Sequence, residues 1–300
     1  MVEHQDFEFS NLDKVLFPED GITKGDLIEY YRKVSSVILP HLQGRPVTLQ
    51  RFPDGINKES FYQKDVPEYF PQWIDTATLE KKEGELQALI CNDQATLLYV
   101  ANLASVTLHT GLSLVDKVYH PDQMVFDLDP SGNNFNTVRS SALLLKDLLE
   151  ELGLKPFVKT TGSRGLHVLV PLDSSANFDE VRAFSKEVAG LLVHRDPEHL
   201  TTEHRKMGRK GRVFIDILRN AYGQTAVAPY SVRASRGAPI ATPIGWNEVL
   251  DPGLGPQRYT MTNIFHRLGK IGDWWADIRR HAVSLDYAER KLEELLSNIK

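Results

Sequence analysis

The segment Met124-Val125-Phe126-Asp127-Leu128-Asp129-Pro130 sets the tightest condition on any fold for this chain. Side chains of a strand alternate between its two faces. Phe126 and Leu128 share one face and can pack into a core. Asp127 and Asp129 share the other, about 7 Å apart along the backbone, with tips able to converge. A second strand-like segment, Arg212-Val213-Phe214-Ile215-Asp216-Ile217-Leu218, sets a third carboxylate inside an apolar run. A lone carboxylate there is costly unless paired or bound to a cation. If all three meet, unit charges about 4–5 Å apart repel by roughly 3–4 kcal/mol per pair at an effective dielectric of about 20. A divalent ion held by oxygen ligands removes that penalty, and Mg²⁺ or Mn²⁺ are the natural candidates. The plainer alternative is that each Asp finishes a strand and caps a turn, a reading that suits Asp129 before Pro130-Ser131-Gly132.

Periodicity places these segments among helices and further strands. Thr23-Lys24-Gly25-Asp26 reads as a capping-box start, followed by Leu27, Tyr30, Tyr31, Val34, Val37 and Ile38 at helical spacing. Helices are also expected over 93–103, 136–152 with Gly153 as the stop, 178–193 and 286–297. Strands are expected over 47–52, 60–63, 124–128, 157–159, 166–170, 212–218 and 225–232, with irregular chain over 237–256. This order suits an α+β or α/β fold with helices against a sheet.

Composition limits the partners. The 300 residues carry 41% hydrophobic and 25% charged side chains, enough for a sizeable core and too few charges for wholesale disorder. The formal charge is −5, so any nucleic-acid footprint is local. Residues 201–236 supply one: eight Lys/Arg against Glu203 and Asp216. From charge alone that run could equally be a solvated loop. Cys91 is the single cysteine, which excludes an internal disulfide framework and any Cys-rich zinc ribbon. The N-terminus shows no signal-peptide pattern, and no stretch is long and apolar enough to span a bilayer, so a cytoplasmic, non-membrane protein is expected. Trp73, Trp246, Trp274 and Trp275 are expected in the core.

Two further constellations bear on chemistry. Lys159-Thr160-Thr161-Gly162-Ser163-Arg164-Gly165-Leu166-His167 links two strands with a tight, hydroxyl-rich turn. Its amides can cradle an oxyanion, helped by Lys159, Ser163 and Arg164, and His167 falls on the polar face. An ordinary hairpin turn and a satisfied core histidine are the alternatives. Around Asp216, Arg209 and Lys210 precede the strand and Arg219 and Arg233 follow it. Cations flanking a metal carboxylate suit a triphosphate. Together these pieces spell metal-assisted phosphoryl or nucleotidyl transfer. The physics does not choose among a polymerase, a nuclease and a phosphatase.

Five blocks in order carry a resemblance that does choose. They are LDKVLFPEDGITKGDLIEYY, RFPDGINKESFYQK, VFDLDPSG, VKTTGSRGLHVLVPL and VFIDILRNAYGQTAVAPYSVRASRGAPIATPIGW. The chain resembles, from about residue 10 to about 270, the polymerase domain of bacterial DNA ligase D, of the archaeo-eukaryotic primase superfamily. That resemblance implies an α+β fold with an RRM-like mixed or antiparallel catalytic sheet flanked by helices and fused to an N-terminal α/β portion. It implies one catalytic domain: an N-terminal portion over about 1–120 with DNA-end contacts, a catalytic portion over 121–270 and a helical tail over 271–300. Asp127, Asp129 and Asp216 resemble its metal triad, with Asp216 nearer the primer end. Lys159, Thr161, Ser163, Arg164, His167, Arg209 and Arg233 look like its nucleotide-side residues; Thr161 stands where the family often has serine. Lys14 and Lys24 look like its 5′-phosphate pair and Phe61-Tyr62 like its template-stacking aromatics.

The mechanism implied is template-guided nucleotidyl transfer with two divalent cations, Mn²⁺ or Mg²⁺: one activates the primer 3′-hydroxyl, the other holds the triphosphate and steadies the departing pyrophosphate. Implied partners are NTP or dNTP, DNA with gaps, breaks or 3′ overhangs and a 5′-phosphate, and a separate DNA ligase and Ku, in a nucleoid-associated setting. The chain shows no lysine-based adenylation motif and no His-rich phosphoesterase segment. A stand-alone primase-polymerase outside end joining is the alternative in the same class. Two other classes compete. Phe126-Asp127-Leu128-Asp129 resembles the nucleophile motif of haloacid-dehalogenase-like phosphatases, though Pro130-Ser131-Gly132 follows where that family has Gly-Thr or Gly-Val. A non-catalytic DNA-end-binding module would keep the lysines and aromatics and leave the aspartates idle.

Overall fold

A computed structural model describes residues 7–81, 83–132 and 134–298. The chain forms two compact units, each assembled from three stretches. The first comprises Met1–Gly111, Thr225–Ala241 and Tyr259–Gly272; the second comprises Leu112–Gln224, Thr242–Arg258 and Asp273–Lys300.

The first unit is organised by the helix Lys24–Leu42. It opens on the expected capping box: the Asp26 amide donates to Thr23 Oγ1 (3.2 Å) and the Thr23 amide to Asp26 Oδ2 (2.8 Å). Its apolar stripe, Leu27, Tyr31, Val34 and Ile38, is fully buried. The stripe shares a core with Val47, Leu49, Val106 and Leu108 from an antiparallel sheet. That sheet runs Thr225–Val227, Ser105–Gly111, Pro46–Arg51, Glu85–Ile90, Thr76–Glu80, with Phe61–Gln63 also paired to Pro46–Arg51. Two tyrosine hydroxyls tie the helix to its surroundings. Tyr30 donates to Tyr230 O (2.6 Å); Tyr31 donates to Val106 O (2.9 Å) and accepts from the Val232 amide (3.3 Å). Burial pushes the Tyr31 phenol up to about 12, so it stays a neutral donor.

The second unit holds a six-stranded mixed sheet in the order Leu200–Thr201, Val213–Asp216, Gln123–Asp129, Leu166–Pro171, Phe157–Thr160, Pro243–Ile244. Its pairings are antiparallel apart from the parallel first one. Helices Phe135–Glu151 and Phe178–Arg195 pack on it. Their buried Val138, Leu145, Val181 and Val188 cover the apolar row of Phe126, Leu128, Val168 and Ile215. Gly153 follows the first helix with φ +77°, as a helix stop requires.

Several expectations are corrected. The strand expected over 212–218 is only Val213–Asp216, because Asp216 Oδ1 accepts from the Leu218 amide (2.8 Å) and turns the chain into a 3₁₀ helix, Leu218–Asn220. The strand expected over 225–232 stops at Val227, shortly before Pro229 and Tyr230, whose φ is +63°. The hairpin Thr76–Glu80/Glu85–Ile90 and the strand Ser105–Gly111 are additional to the strands expected from periodicity. Of the tryptophans only Trp275 is fully buried; Trp73 and Trp246 are half-buried and Trp274 is exposed. Trp246 keeps its indole N–H on Pro156 O (2.9 Å). Trp274 lies over Gly245, where a Cβ would come within 2.8 Å of the ring.

Replacing Tyr31 by Phe leaves the Val106 carbonyl and the Val232 amide buried without the hydroxyl. The expected cost is about 1–3 kcal/mol in urea unfolding. Tyr287→Phe, at an exposed ring, should stay within about 0.5 kcal/mol. Equal effects of the two changes would contradict this account of the helix anchor.

Candidate active site

Strand register assembles the site. Asp127 lies directly opposite Asp216 on one neighbouring strand and His167 on the other, and His167 lies opposite Lys159. Opposed residues of antiparallel strands point to the same face. One row therefore runs Asp216, Asp127, His167, Lys159 across four strands. Asp129, two residues along from Asp127, stands on the same face opposite Phe214. All three sequence-predicted aspartates thus share a surface with the predicted histidine and lysine.

Asp127 and Asp216 have local partners, Asp216 through the Leu218 amide. Asp127 is buried, with Oδ1 3.4 Å from His167 Nε2 and Oδ2 3.6 Å from Arg219 Nε. Burial alone would raise its carboxyl, but His167, Arg219 and Lys159 outweigh burial and hold it below the usual carboxylate range. Asp129 goes the other way: burial, and then the charges of Asp127 and Asp216, push it up. Burial lowers His167 below the ordinary imidazole value, against the opposing pull of Asp127. Its Nδ1 is buried without a hydrogen-bond partner. Among the described residues no group of three or more His, Cys, Asp or Glu side chains is already gathered as a metal cage. The donor set nonetheless suits a hard divalent cation: three carboxylates on one face, one of them raised by burial and then by its like-charged neighbours. Asp127, Asp129 and Asp216 are the residues that would hold it.

The turn between the strands Phe157–Thr160 and Leu166–Pro171 is built around Thr161. Its Oγ1 accepts from the Ser163 amide (3.2 Å) and the Gly165 amide (3.1 Å), and the Thr161 amide donates to Gly165 O (3.1 Å). Thr161 therefore organises the loop. Gly162 has φ +64°. Gly165 admits no side chain, since a Cβ would lie 2.1 Å from Leu128 O and 3.6 Å from Asp129 Oδ1. The loop is thereby pressed against the acidic strand. Ser163 is half-buried and Arg164 exposed. Lys159 is buried.

The basic segment divides in role. Arg209 is buried, stacks on Phe214 at 3.9 Å and donates to the carbonyls of Glu203 (3.1 Å) and His204 (3.0 Å). It holds the loop while its charge reaches Asp129. Arg219, noted in the sequence only as a flanking cation, is beside Asp127 in the structure. Asn220 is an additional residue, not among those expected from the sequence. Fully buried, it accepts from the Val125 amide (2.8 Å) and donates to Val125 O (2.8 Å) and Ser185 Oγ (3.2 Å), clamping the 3₁₀ turn that delivers Arg219. The sequence signal was the spacing Asp216-x-x-Arg219-Asn220.

The remaining predicted residues belong to the first unit. Arg233 donates its amide to Pro239 O (2.8 Å), and its charge acts on the Tyr31 phenol. Lys14 pairs with Asp54 at 2.7 Å, and buried Lys24 donates to Ser10 Oγ (3.2 Å) and Asn102 O (3.0 Å). Phe61 and Tyr62 are both exposed, with the Arg51 guanidinium 5.2 Å from the Phe61 ring.

Comparison with known proteins decides the family. The model of the LigD primase-polymerase domain matches residues 23–275. The chain belongs to the LigD primase-polymerase family. As a member it is a nucleotidyltransferase of the polymerase type, with the α+β fold of the archaeo-eukaryotic primases. It is 32% identical to the bifunctional non-homologous end joining protein LigD of Bacillus subtilis, over 93% of this chain and 45% of that protein. The multifunctional LigD of Mycolicibacterium smegmatis is also 32% identical, over 95% of this chain and 38% of its own length. The chain thus spans less than half of these relatives. The polymerase domain from Mycobacterium tuberculosis ligase D, solved in complex with DNA, matches with a TM-score of 0.86 at 30% identity. That match covers 93% of this chain and 99% of the solved one. No helix among the described residues is long and apolar enough to cross a membrane.

A LigD-type carboxylate cluster should cost stability. Asp129, with its pKa raised in the fold, binds its proton more tightly folded than unfolded, so it destabilises the fold once pH exceeds the folded pKa. Asp129→Asn should raise the melting midpoint at neutral pH by about 2–4 °C. That gain should shrink as pH falls through the raised pKa. A variant less stable than wild type at neutral pH would refute the view that burial and like charge make the Asp129 carboxylate a cost to the fold.

Proposed function

We propose that the chain is a template-directed nucleotidyltransferase that fills short gaps and adds nucleotides, ribonucleotides included, at DNA ends during non-homologous end joining. The observation that carries this reading is the single row of Asp216, Asp127, His167 and Lys159 with Asp129 beside it, bordered by the Thr161–Gly165 turn and by Arg219. Its elements are those needed to hold cations, a triphosphate and an attacking hydroxyl together.

Asp127, Asp129 and Asp216 would hold two divalent cations, Mn²⁺ or Mg²⁺. When bound, such ions supply Lewis-acid activation of the primer 3′-hydroxyl and charge neutralisation at the triphosphate. Lys159, Arg164 and Arg219 place positive charge beside the polyphosphate, and the Gly162 and Arg164 amides and Ser163 hydroxyl complete an anion cradle. His167 is a hydrogen-bonding group toward a phosphate oxygen. Thr161 and Arg209 position these groups by fixing their loops. Phe61 and Tyr62 offer sequence-independent stacking faces to template bases. Lys14 and Lys24 receive the 5′-phosphate of the recessed strand. In this reading the whole chain works as one primase-polymerase catalytic domain, with DNA-end contacts in the first unit and nucleotidyl transfer in the second. It acts with a separate ligase and Ku in the cytoplasm, near the nucleoid.

Primer extension on a 5′-phosphorylated gapped duplex, with ribonucleotides and deoxyribonucleotides under Mg²⁺ and Mn²⁺, tests this directly. Asp127→Ala should lower extension by at least about 100-fold, while gapped-DNA binding stays near wild type. Normal extension by that variant would sink the assignment. Changing Lys14 and Lys24 together to Ala should erase the preference for a 5′-phosphate and lower the log–log salt slope of binding by about 2. An unchanged slope and preference would exclude these lysines.

A further inference from the structure

Lys14 and Lys24 sit side by side: the Lys24 amide donates to Lys14 O (2.8 Å), and Val15 pairs with Thr23. Their charges are balanced unequally. Lys24 is buried, and its partners are a hydroxyl and a carbonyl; among the described residues no carboxylate pairs with it. Burial, and then the nearby Lys14 charge, lower its pKa. Lys14 is half open to solvent and carries one counter-ion, Asp54, at 2.7 Å. Asp54 is held there by its turn. The Gly55 amide donates to Phe52 O (3.1 Å), Gly55 has φ +88°, and a Cβ at Gly55 would meet Leu16 O at 3.1 Å. That close approach sets the turn against the chain next to Lys14.

Of the two cations only Lys14 is paired with a carboxylate among the described residues; Asp54, which also feels the Lys58 charge, is the exposed and replaceable member of that pair. A phosphate monoester brings about −1.5 to −2 charges and three acceptor oxygens, more than Asp54 supplies. We propose that Asp54 is a built-in counter-ion that a DNA 5′-phosphate displaces from Lys14, and that it sets how strongly the protein prefers a phosphorylated end. This rests on the reading of Lys14 and Lys24 as the 5′-phosphate pair.

The test is the affinity ratio of the full chain for gapped duplexes with a 5′-phosphate and with a 5′-hydroxyl, measured by fluorescence anisotropy at one ionic strength. Asp54→Asn should raise that ratio by about two- to fivefold, the range that an exposed ion pair commands. Asp54→Glu, which keeps the charge, should stay near the wild-type ratio. Lys14→Ala added to Asp54→Asn should abolish the gain. A wild-type preference for phosphate that Asp54→Asn leaves unchanged or weakens would overturn the role of Asp54. A wild-type protein that binds both ends equally would overturn the phosphate reading beneath it.

Discussion

Mutual repulsion among three carboxylates is the interaction around which the second unit is arranged. Asp127 and Asp216 face each other across an antiparallel pair, and Asp129 follows two residues on. Left alone, such a cluster would protonate or push its strands apart. The fold answers with cations and with anchorage. His167, Lys159 and Arg219 keep Asp127 ionised despite burial. Asn220 bonds both the N–H and the C=O of Val125, so the strand that bears the charge is fixed from the side by a residue on the Arg219 turn. Gly165 brings the Thr161–Gly165 turn onto the same strand at a distance that no other residue allows.

This arrangement separates stability from function. Asp129 is an acid held where its charge is unfavourable, a common condition of functional sites. The unpartnered Nδ1 of buried His167 is a second local cost. Both costs are borne by a sheet whose other face is mainly apolar and packed against two long helices. Arg209 shows the opposite allocation. Its guanidinium is spent on two backbone carbonyls and an aromatic ring, so it keeps its loop in place and acts on Asp129 only through its charge.

The acidic face was legible because strand alternation is local: Asp-x-Asp within an apolar run has one geometric solution. The long helices were legible for the same reason, through their caps and stripes. The strand Ser105–Gly111 was hidden because its apolar residues continue those of the preceding helix Gln94–Asn102, and periodicity blurs where the two meet. The early end of the strand at Asp216 depended on a side-chain bond to the Leu218 amide, which competes with the strand ladder and leaves no composition signal. The discontinuous make-up of the units was equally invisible, since residues 228–241 enter the first core through irregular chain carrying Tyr230, Val232 and Ile240. The Asp54–Lys14 pair joins residues forty apart with no pattern to link them.

The claim on which the functional account turns is that Asp127, Asp129 and Asp216 act as one cation-holding set. Anomalous diffraction from crystals grown with Mn²⁺ and a non-hydrolysable nucleoside triphosphate addresses it most directly. The account predicts manganese peaks bonded to oxygens of all three aspartates, with the triphosphate lying along the Thr161–Gly165 turn. Manganese bound elsewhere, with Asp127 still on His167 and Arg219 and Asp216 still on the Leu218 amide, would contradict it.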